Sequence, residues 1–219
     1  MKVAVAGAAG NTASRLLVRL AERGHQVRGL VRREEQLSRV EELGAEPWML
    51  DLEEAGPEET ARAVEGCDAV VFAAGAGPGS GPERKQTMDY GGAVKLVEAA
   101  RASGVGRYLM LSTMNADAPD AGGEQMQPYF EAKGAADERL RESGLDYTII
   151  RPGRLTDDAG TGYIDAARSL GRGGEIPRED VAETFAAALE EDATRKETID
   201  VLSGDTPIAE ALRAFGAFE

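Results

Sequence analysis

Two side chains that could exchange a proton with a substrate stand four residues apart in PYFEAKGAADERL, the stretch that begins at Pro128. The stretch reads as a helix, so Tyr129 and Lys133 should project from one face. A phenol has a pKa of about 10 in water, and an adjacent cation lowers it. The two residues could therefore form an acid/base pair. The alternative is a half-buried aromatic and a solvated charge beside Glu131 and Asp137.

The elements that must position this pair follow a regular alternation of short apolar runs and longer amphipathic stretches. Such alternation is typical of a parallel sheet covered by helices on both faces. With the right-handed crossover rule it predicts an α/β fold, a Rossmann-type doubly wound parallel sheet of about seven strands. The predicted strands are KVAVAG from Lys2, QVRGLV from Gln26, AEPWML from Ala45, AVVFAA from Ala69, RYLMLS from Arg107, YTIIRP from Tyr147 and TIDVLS from Thr198.

Two segments rich in glycine and proline interrupt the alternation, roughly at 75–86 and 152–177. Both follow the carboxyl ends of predicted strands, where open α/β sheets bind their ligands. We therefore expect these segments to be loops that form a small substrate lobe. The last strand and helix resume the earlier pattern, so we expect a single dinucleotide-binding domain over residues 1–219.

Composition narrows the range of partners. The chain has 39 acidic and 25 basic residues and a net charge of −14, which would repel nucleic acids and anionic membranes. We expect a small-molecule substrate and a monomer or homodimer.

Cys67 is the only cysteine, so no intrachain disulfide is possible and a cytoplasmic location is favoured. His25 is the only histidine, which excludes a histidine-based triad and argues against a zinc site, so we expect no metal.

A glycine-rich turn joins the first predicted strand to the first predicted helix in VAVAGAAGNTAS. Gly7 and Gly10, with the small Ala9 between them, would let the backbone approach a diphosphate closely. The amides around Asn11 and Thr12 and the helix dipole would stabilise the negative charge. The position of the turn in a strand–helix–strand unit favours dinucleotide binding over a purely structural turn.

The end of the second predicted strand bears on which dinucleotide binds. An acidic residue there would hold the ribose hydroxyls, but the chain reads LVRREEQ, with Arg32 and Arg33 at this position. A guanidinium would pair with a 2′-phosphate, so NADP(H) is favoured over NAD(H). Glu34 and Glu35 fit the first turn of the next helix. If one of them pointed into the cleft instead, NAD(H) would be the favoured coenzyme. The alternative for Arg32 is an ordinary surface arginine.

The ends of the third and fourth predicted strands should complete the cofactor cleft. Asp51 could accept a hydrogen bond from the adenine amino group, or it could cap the segment that follows. Small residues at the fourth strand would let the dinucleotide cross the sheet. The residues that we assign to these two ends are Asp51, Leu52, Ala73, Ala74 and Gly75.

Six motifs occur along the chain in the order GAAGNTA, LVRR, FAAGAG, LST, YFEAK and IIRPG. Together they resemble the short-chain dehydrogenase/reductase superfamily. Within it the chain is similar to the atypical branch of NAD(P)H-binding, NmrA-like proteins and NAD(P)-dependent epimerases. The resemblance covers nearly the whole length.

The resemblance implies a catalytic group of Ser, Tyr and Lys, with an Asn as a fourth member in many relatives. Ser112, Tyr129 and Lys133 match the first three, and Asp89 stands roughly at the Asn position. Asp in place of Asn puts the usual proton relay in doubt, because an ionised carboxylate accepts hydrogen bonds but donates none. The turn at 152–153, Pro152 and Gly153, matches one that passes near the nicotinamide in relatives.

The implied reaction is hydride transfer between NADP(H) and a small carbonyl or alcohol. Tyr129 would exchange the proton, Lys133 would lower the tyrosine pKa and hold the nicotinamide ribose, and Ser112 would bind the carbonyl oxygen. We therefore expect an oxidoreductase or an epimerase-like enzyme. Two alternatives stay open: a non-catalytic NmrA-like protein that senses NADPH, and a flavin or quinone reductase. The small substrate lobe argues against large sugar nucleotides.

Overall fold

The chain forms a central sheet of mostly buried apolar strands in the computed structural model, which describes residues 1–77 and 79–218. In those ranges the strands are β1 (Lys2–Ala6), β2 (Gln26–Val31), β3 (Glu46–Met49), β4 (Ala69–Phe72), β5 (Arg107–Leu111), β6 (Asp146–Pro152), β7 (Arg154–Thr156), β8 (Tyr163–Ala167), β9 (Glu175–Pro177), β10 (Glu197–Ser203) and β11 (Thr206–Pro207). Seven of them run parallel in the order β3-β2-β1-β4-β5-β6-β10. The predicted doubly wound parallel sheet is confirmed.

Two further strands extend this sheet to nine within the described ranges. β8 pairs antiparallel with β10, and β11 pairs antiparallel with β8. β7 and β9 pair with each other in a separate two-stranded sheet. The segment 152–177, which we expected to form loops, therefore contains β7, β8 and β9. These strands are only three to five residues long and are formed by pairing between distant segments, so no apolar run predicts them.

Helices cover both faces of the sheet. In the described ranges they are α1 (Asn11–Glu22), α2 (Leu37–Glu42), α3 (Pro57–Val64), α4 (Pro82–Arg84), α5 (Ala93–Ala102), α6 (Gly123–Arg141), α7 (Arg178–Glu190) and α8 (Ile208–Arg213). α1 and α7 pack together on one face, because α1 buries Leu16, Leu17 and Leu20 on a single side. α3, α5 and part of α6 pack on the other face. None of these helices combines the length and the apolar composition needed to cross a bilayer.

A π-helical segment, Lys85–Gly92, joins α4 to α5, so the backbone is helical from Pro82 to Ala102. π-Helical turns are rare and occur frequently at functional sites. This one carries Asp89, which is a predicted site residue and is buried. The helical segment therefore bears directly on the site described below.

The order of the strands reverses between β1 and β4. β1 pairs with β2 on one side and with β4 on the other, so the loops that follow β1 and β4 diverge to opposite faces of the sheet. In open α/β sheets such a switch point leaves a crevice at the carboxyl ends of the strands. The fold thus brings the glycine turn after β1 beside Ala73, Ala74 and Gly75 after β4.

Candidate active site

A cleft of about 200 Å³ opens at this switch point, above the carboxyl ends of β1, β2, β3 and β4. Most of its lining residues are small or aliphatic, so backbone forms much of the wall. The predicted cofactor residues that line it are Gly7, Ala9, Gly10, Arg32, Leu52, Ala73, Ala74 and Gly75. The structure therefore brings together residues that follow four separate strands.

The glycine turn forms the floor of this cleft. Gly7 has a φ of +77°, and a Cβ atom at this position would lie 2.7 Å from the Cα atom of Ala74. The Gly10 amide donates to the Gly7 carbonyl oxygen over 2.8 Å, and Gly10 is the N-cap residue of α1. No side chain caps this helix and its first turn has no acidic residue, so the amides at Asn11 and Thr12 keep their capacity to bind an anion. These features fit a diphosphate.

The two arginines after β2 lie in different surroundings. Arg32 lines the cleft, and its Nη1 atom lies 3.7 Å from Oε2 of Glu53. Arg33 is exposed and pairs with Glu35 over 3.0 Å, so it points away from the cleft. Glu35 is therefore directed outward, and neither it nor Glu34 lines the cleft. Of the two arginines, only Arg32 is in a position to meet a 2′-phosphate there.

Glu53 is an acidic residue of this region that sequence reasoning missed. It accepts hydrogen bonds from Arg84 over 2.9 Å and from Thr87 over 2.7 Å. Burial raises the pKa of Glu53, but the hydrogen bonds from Arg84 and Thr87 outweigh it and lower that pKa. The Glu53 carboxylate therefore stays ionised beside Arg32. Its partners Arg84 and Thr87 belong to the helical segment that begins at Pro82, and they are too distant from Glu53 in sequence to form a recognisable motif with it.

The other residue of the third strand end has a local role. Oδ1 of Asp51 accepts a hydrogen bond from the Glu53 amide over 3.0 Å, and Asp51 does not line the cleft. Of the two alternatives for Asp51, the structure shows the capping interaction. Leu52, the next residue, is buried and contributes an apolar wall to the cleft.

Lys133 lies on α6 and is only 3% exposed, so its interpretation as a solvated charge is wrong. Its Nζ atom donates to the carbonyl oxygen of Leu111, at the end of β5, over 2.8 Å, and lies 3.6 Å from Oδ1 of Asp89. Oδ2 of Asp89 accepts a hydrogen bond from the Ala76 amide over 3.2 Å. Asp89 thus ties the loop after β4 to the lysine of α6, which places both residues next to the cofactor cleft.

Tyr129 precedes Lys133 by one helical turn and is half-buried. The Nζ atom of Lys85 lies 5.1 Å from the centre of its ring. Burial and the negative charge of Asp89 raise the pKa of the Tyr129 phenol, and a hydrogen bond with Thr113 opposes the change only in part. The lowering of this pKa that we expected from Lys133 is not seen in this structure, because burial and the charge of Asp89 raise the pKa instead. Burial also lowers the pKa of Lys133 itself, against the opposing effect of Asp89.

Ser112 does not face the cavity as expected. It is 2% exposed, and its hydroxyl donates to Oδ2 of Asp137 over 2.8 Å. The next residue, Thr113, lines a cavity and lies close enough to Tyr129 to affect the pKa of its phenol. The LST motif contains both hydroxyls, and successive residues of an extended chain point to opposite sides, so the motif alone could not separate them.

Asp137, which the alternative interpretation of the pair named as a neighbour of a solvated lysine, is a buried carboxylate. Its Oδ2 atom accepts from Ser112 and from Nε of Arg151 over 2.9 Å, whereas its Oδ1 atom has no hydrogen-bond partner. Arg151 also donates to Asp117 over 2.7 Å. Burial raises the pKa of Asp137, and the charge of Arg151 opposes that change. The spacing of four residues after Lys133 was the only sequence signal that it shares a helix face with the predicted pair.

A second and larger cavity, of about 620 Å³, lies beside α6. Met126 and Phe130 of α6 line it, and Thr113 links it to Tyr129. Pro152 and Gly153 also line this cavity rather than the smaller cleft. Their expected proximity to a nicotinamide therefore stays a prediction.

Comparisons with known proteins bear on the identity of the chain. A family model described as NAD(P)H-binding matches residues 7–192. A Bacillus subtilis protein called "Uncharacterized sugar epimerase YhfK" is 44% identical over 214 residues, which are 97% of this chain and 99% of the relative. Both chains are thus similar over nearly their full lengths.

Two solved structures are also similar to this chain. One is from Bacillus halodurans and is provisionally named an NAD-dependent epimerase/dehydratase. Its TM-score is 0.93 and its sequence identity to this chain is 38%. The match covers 98% of this chain and 99% of that one. The other is the oxidoreductase ylbE from Lactococcus lactis, with a TM-score of 0.87, 32% identity, and coverage of 98% and 96%.

Proposed function

The chain belongs to the NAD(P)H-binding family, an atypical branch of the short-chain dehydrogenase/reductases, and on that premise we propose that it is an NADP(H)-dependent oxidoreductase or epimerase-like enzyme. Its substrate in this proposal is a small carbonyl compound or alcohol. The observation that carries the proposal is the adjacency of two features. The glycine-floored cleft ends at Ala74 and Gly75, and Asp89 connects the loop after them to Lys133, one turn from Tyr129.

The diphosphate of the dinucleotide would lie against the amides of Gly10, Asn11 and Thr12. Bound there, the dinucleotide supplies or accepts the hydride. Arg32 supports NADP(H) over NAD(H), because its half-exposed guanidinium lines the cleft, where a 2′-phosphate can pair with it. Glu53 already lies near Arg32, so the 2′-phosphate would share the arginine with a carboxylate held mainly by Arg84.

Tyr129 would donate the proton that the substrate oxygen needs when a carbonyl is reduced. Its raised pKa keeps the phenol protonated at neutral pH, so the group is ready to donate rather than to accept. Thr113, and not Ser112, would bind the same oxygen, because Thr113 lines the cavity and lies close enough to Tyr129 to affect the phenol pKa, whereas Ser112 is buried against Asp137. Lys133 would position the tyrosine and the nicotinamide ribose from its anchor on Leu111.

The test is NADPH oxidation with a panel of small aldehydes and ketones, using wild type, Tyr129→Phe and Thr113→Val. We expect Tyr129→Phe to keep NADPH affinity and to lose about 100-fold or more of turnover, the usual size of a general acid contribution. Ser112→Ala is the matched control and should keep most of the turnover. Because the pKa of Tyr129 is raised, wild-type reduction should not decline until the pH exceeds about 10, the ordinary value for a phenol. Full turnover in Tyr129→Phe would remove the tyrosine from the mechanism.

One observation favours a second candidate function, a protein that binds NADPH and senses it without chemistry. Lys133 already donates to Leu111 and lies beside Asp89, so it is engaged with the protein rather than free for a cofactor. This candidate predicts tight NADPH binding with no hydride transfer to carbonyls or to flavins. Flavin reduction that survives in Tyr129→Phe would instead indicate a flavin or quinone reductase.

A further inference from the structure

The larger cavity has a charge opposite to that of the whole chain. The chain has a net charge of −14, yet four arginines line this cavity: Arg151, Arg154, Arg168 and Arg172. Asp117 and Asp200 are the acidic residues in its lining within the described part of the chain. Arginines on a concave surface attract oxyanions, because the guanidinium matches the geometry of a carboxylate or phosphate.

We propose that this cavity binds a ligand with an apolar body and a carboxylate or phosphate group, and that this ligand class is the substrate. The second part rests on the function proposed above. The apolar part of the lining suits the body of such a ligand, since Met114, Met126, Phe130 and Pro152 contribute to the same wall. The cavity therefore offers an apolar surface next to a cationic rim.

The two acids of the lining are already engaged. Asp117 accepts two hydrogen bonds from the buried Arg151, over 2.5 and 2.7 Å. Oδ2 of Asp200 accepts the Leu170 amide over 3.2 Å, and burial raises the pKa of Asp200. Neither acid pairs with Arg154, Arg168 or Arg172. Arg151 is committed to the acids of its network, so the anion should be bound by the other three guanidiniums.

Those three arginines have partners that an incoming anion can supplement or replace. Their side chains are 69% (Arg154), 58% (Arg168) and 51% (Arg172) exposed, and each pairs with one carboxylate. The partners are Glu175, Glu197 and Asp165, which do not line the cavity. Ion pairs this exposed are worth about 0 to 1 kcal/mol, so sharing the guanidinium with a ligand costs little.

The backbone also holds these arginines in place. Arg154 lies on β7 opposite Glu175 on β9, and the Arg154 amide donates to the Gly174 carbonyl oxygen over 2.9 Å. Gly153 packs so closely against Gly174 that a Cβ atom at Gly153 would collide with its carbonyl oxygen. The glycine-rich loop that carries Arg172 is therefore fixed against the turn that carries Arg154. The backbone positions from which Arg154 and Arg172 project are thus set before any ligand arrives.

The experiment is isothermal titration of the full chain, without coenzyme, with three probes of the same ring system. They are 2-naphthoate, 2-naphthyl phosphate and the neutral 2-naphthamide. We expect at least one anionic probe to bind about tenfold more tightly than the amide, which corresponds to one good charge-assisted contact. Preference between the two anions would show which oxyanion the site takes.

The variant for this test is Arg154→Gln combined with Arg172→Gln, and the matched control is Arg39→Gln, another exposed and paired arginine far along the chain from the cavity. The double variant should lose the anion preference and keep its affinity for 2-naphthamide, whereas the control should behave as wild type. Equal affinity for all three probes, no binding of either anion at millimolar concentration, or the same loss in the control would overturn the proposal. NADPH titration is a separate measurement, so coenzyme binding without anion preference would reject the ligand class and leave the proposed cofactor function standing.

Discussion

The two cavities along the carboxyl edge of the sheet are built from different materials. The smaller cleft is made of glycine, alanine and aliphatic residues, and Arg32 is the charged side chain in its described lining. The larger cavity is made of side chains, including four arginines and two acids, which ion pairs hold in position. The first site thus depends on where the backbone can go, and the second on which side chains pair.

This difference determines how each site should respond to substitution. A backbone-built site fails when an added atom fills the space that the ligand or a neighbouring strand needs. A site built from paired side chains fails in steps, as each partner is removed. The predictions below separate the two kinds of failure.

The largest effect on coenzyme binding should come from Gly7→Ala. Gly7 and Gly24 both have a φ of +77°, but a Cβ atom at Gly24 would meet nothing within 4 Å. At Gly7 it would lie 2.7 Å from the Cα atom of Ala74, in the wall of the cleft. We expect Gly7→Ala to lose about 100-fold or more in NADPH affinity, near 2.7 kcal/mol, by calorimetric titration. Gly24→Ala shares the backbone strain of about 1 to 2 kcal/mol without the collision, and it should bind NADPH normally.

Equal NADPH affinity in Gly7→Ala and Gly24→Ala would mean that the turn does not limit the cleft. The free energy of unfolding, measured in urea for both variants, separates loss of binding from loss of the fold. Loss of NADPH binding in Gly7→Ala supports the backbone-built cleft only when the variant is still folded at the titration temperature.

The next effect concerns stability rather than binding, and it should follow from Asp137→Ala in the side-chain network. Asp137 is fully buried and accepts from Ser112 and Arg151, whereas Asp117 holds the same arginine from a side chain that is 64% exposed. Removing the buried partner should lower the free energy of unfolding by about 3 kcal/mol. Asp117→Ala should lower it by about 1 kcal/mol or less. Urea denaturation at pH 7 measures both, and similar losses in the two variants would contradict a special role for the buried carboxylate.

The smallest effect should be on coenzyme preference. Arg32 lines the cleft and Arg33 points outward to Glu35, although the two are adjacent in sequence. Arg32→Ala should reduce the ratio of NADPH to NADH affinity about tenfold, the value of one charge-assisted contact. Arg33→Ala should leave the ratio almost unchanged. An unchanged ratio of NADPH to NADH affinity in Arg32→Ala would show that Arg32 is an ordinary surface arginine that does not bind the 2′-phosphate.

The same contrast explains what could be predicted from the sequence. The seven parallel strands and the glycine turn are local patterns, since each strand is a short apolar run and Gly7 and Gly10 lie within a single turn. Features of this kind are formed by contiguous residues, so they can be predicted from the sequence. The short strands β7, β8 and β9 depend on distant partners, so their segment was expected to form loops.

Side-chain features were harder to predict because they depend on orientation and on distant partners. Ser112 and Thr113 are neighbours, but one is buried against Asp137 and the other reaches the cavity. The raised pKa of Tyr129 depends on burial and on Asp89, which lies 40 positions earlier in the sequence. The sequence thus correctly predicted that Tyr129 and Lys133 share a helix. The pKa of Tyr129 could not be predicted, because it depends on residues that only the folded chain brings together.

A crystal structure of the full chain with NADPH tests the central claim most directly, namely that a dinucleotide lies across the switch point between β1 and β4. We predict one coenzyme molecule per chain, with its diphosphate against the amides of Gly10 to Thr12 and its nicotinamide on the side of Tyr129. A coenzyme bound elsewhere, or no binding at millimolar NADPH, would contradict the claim.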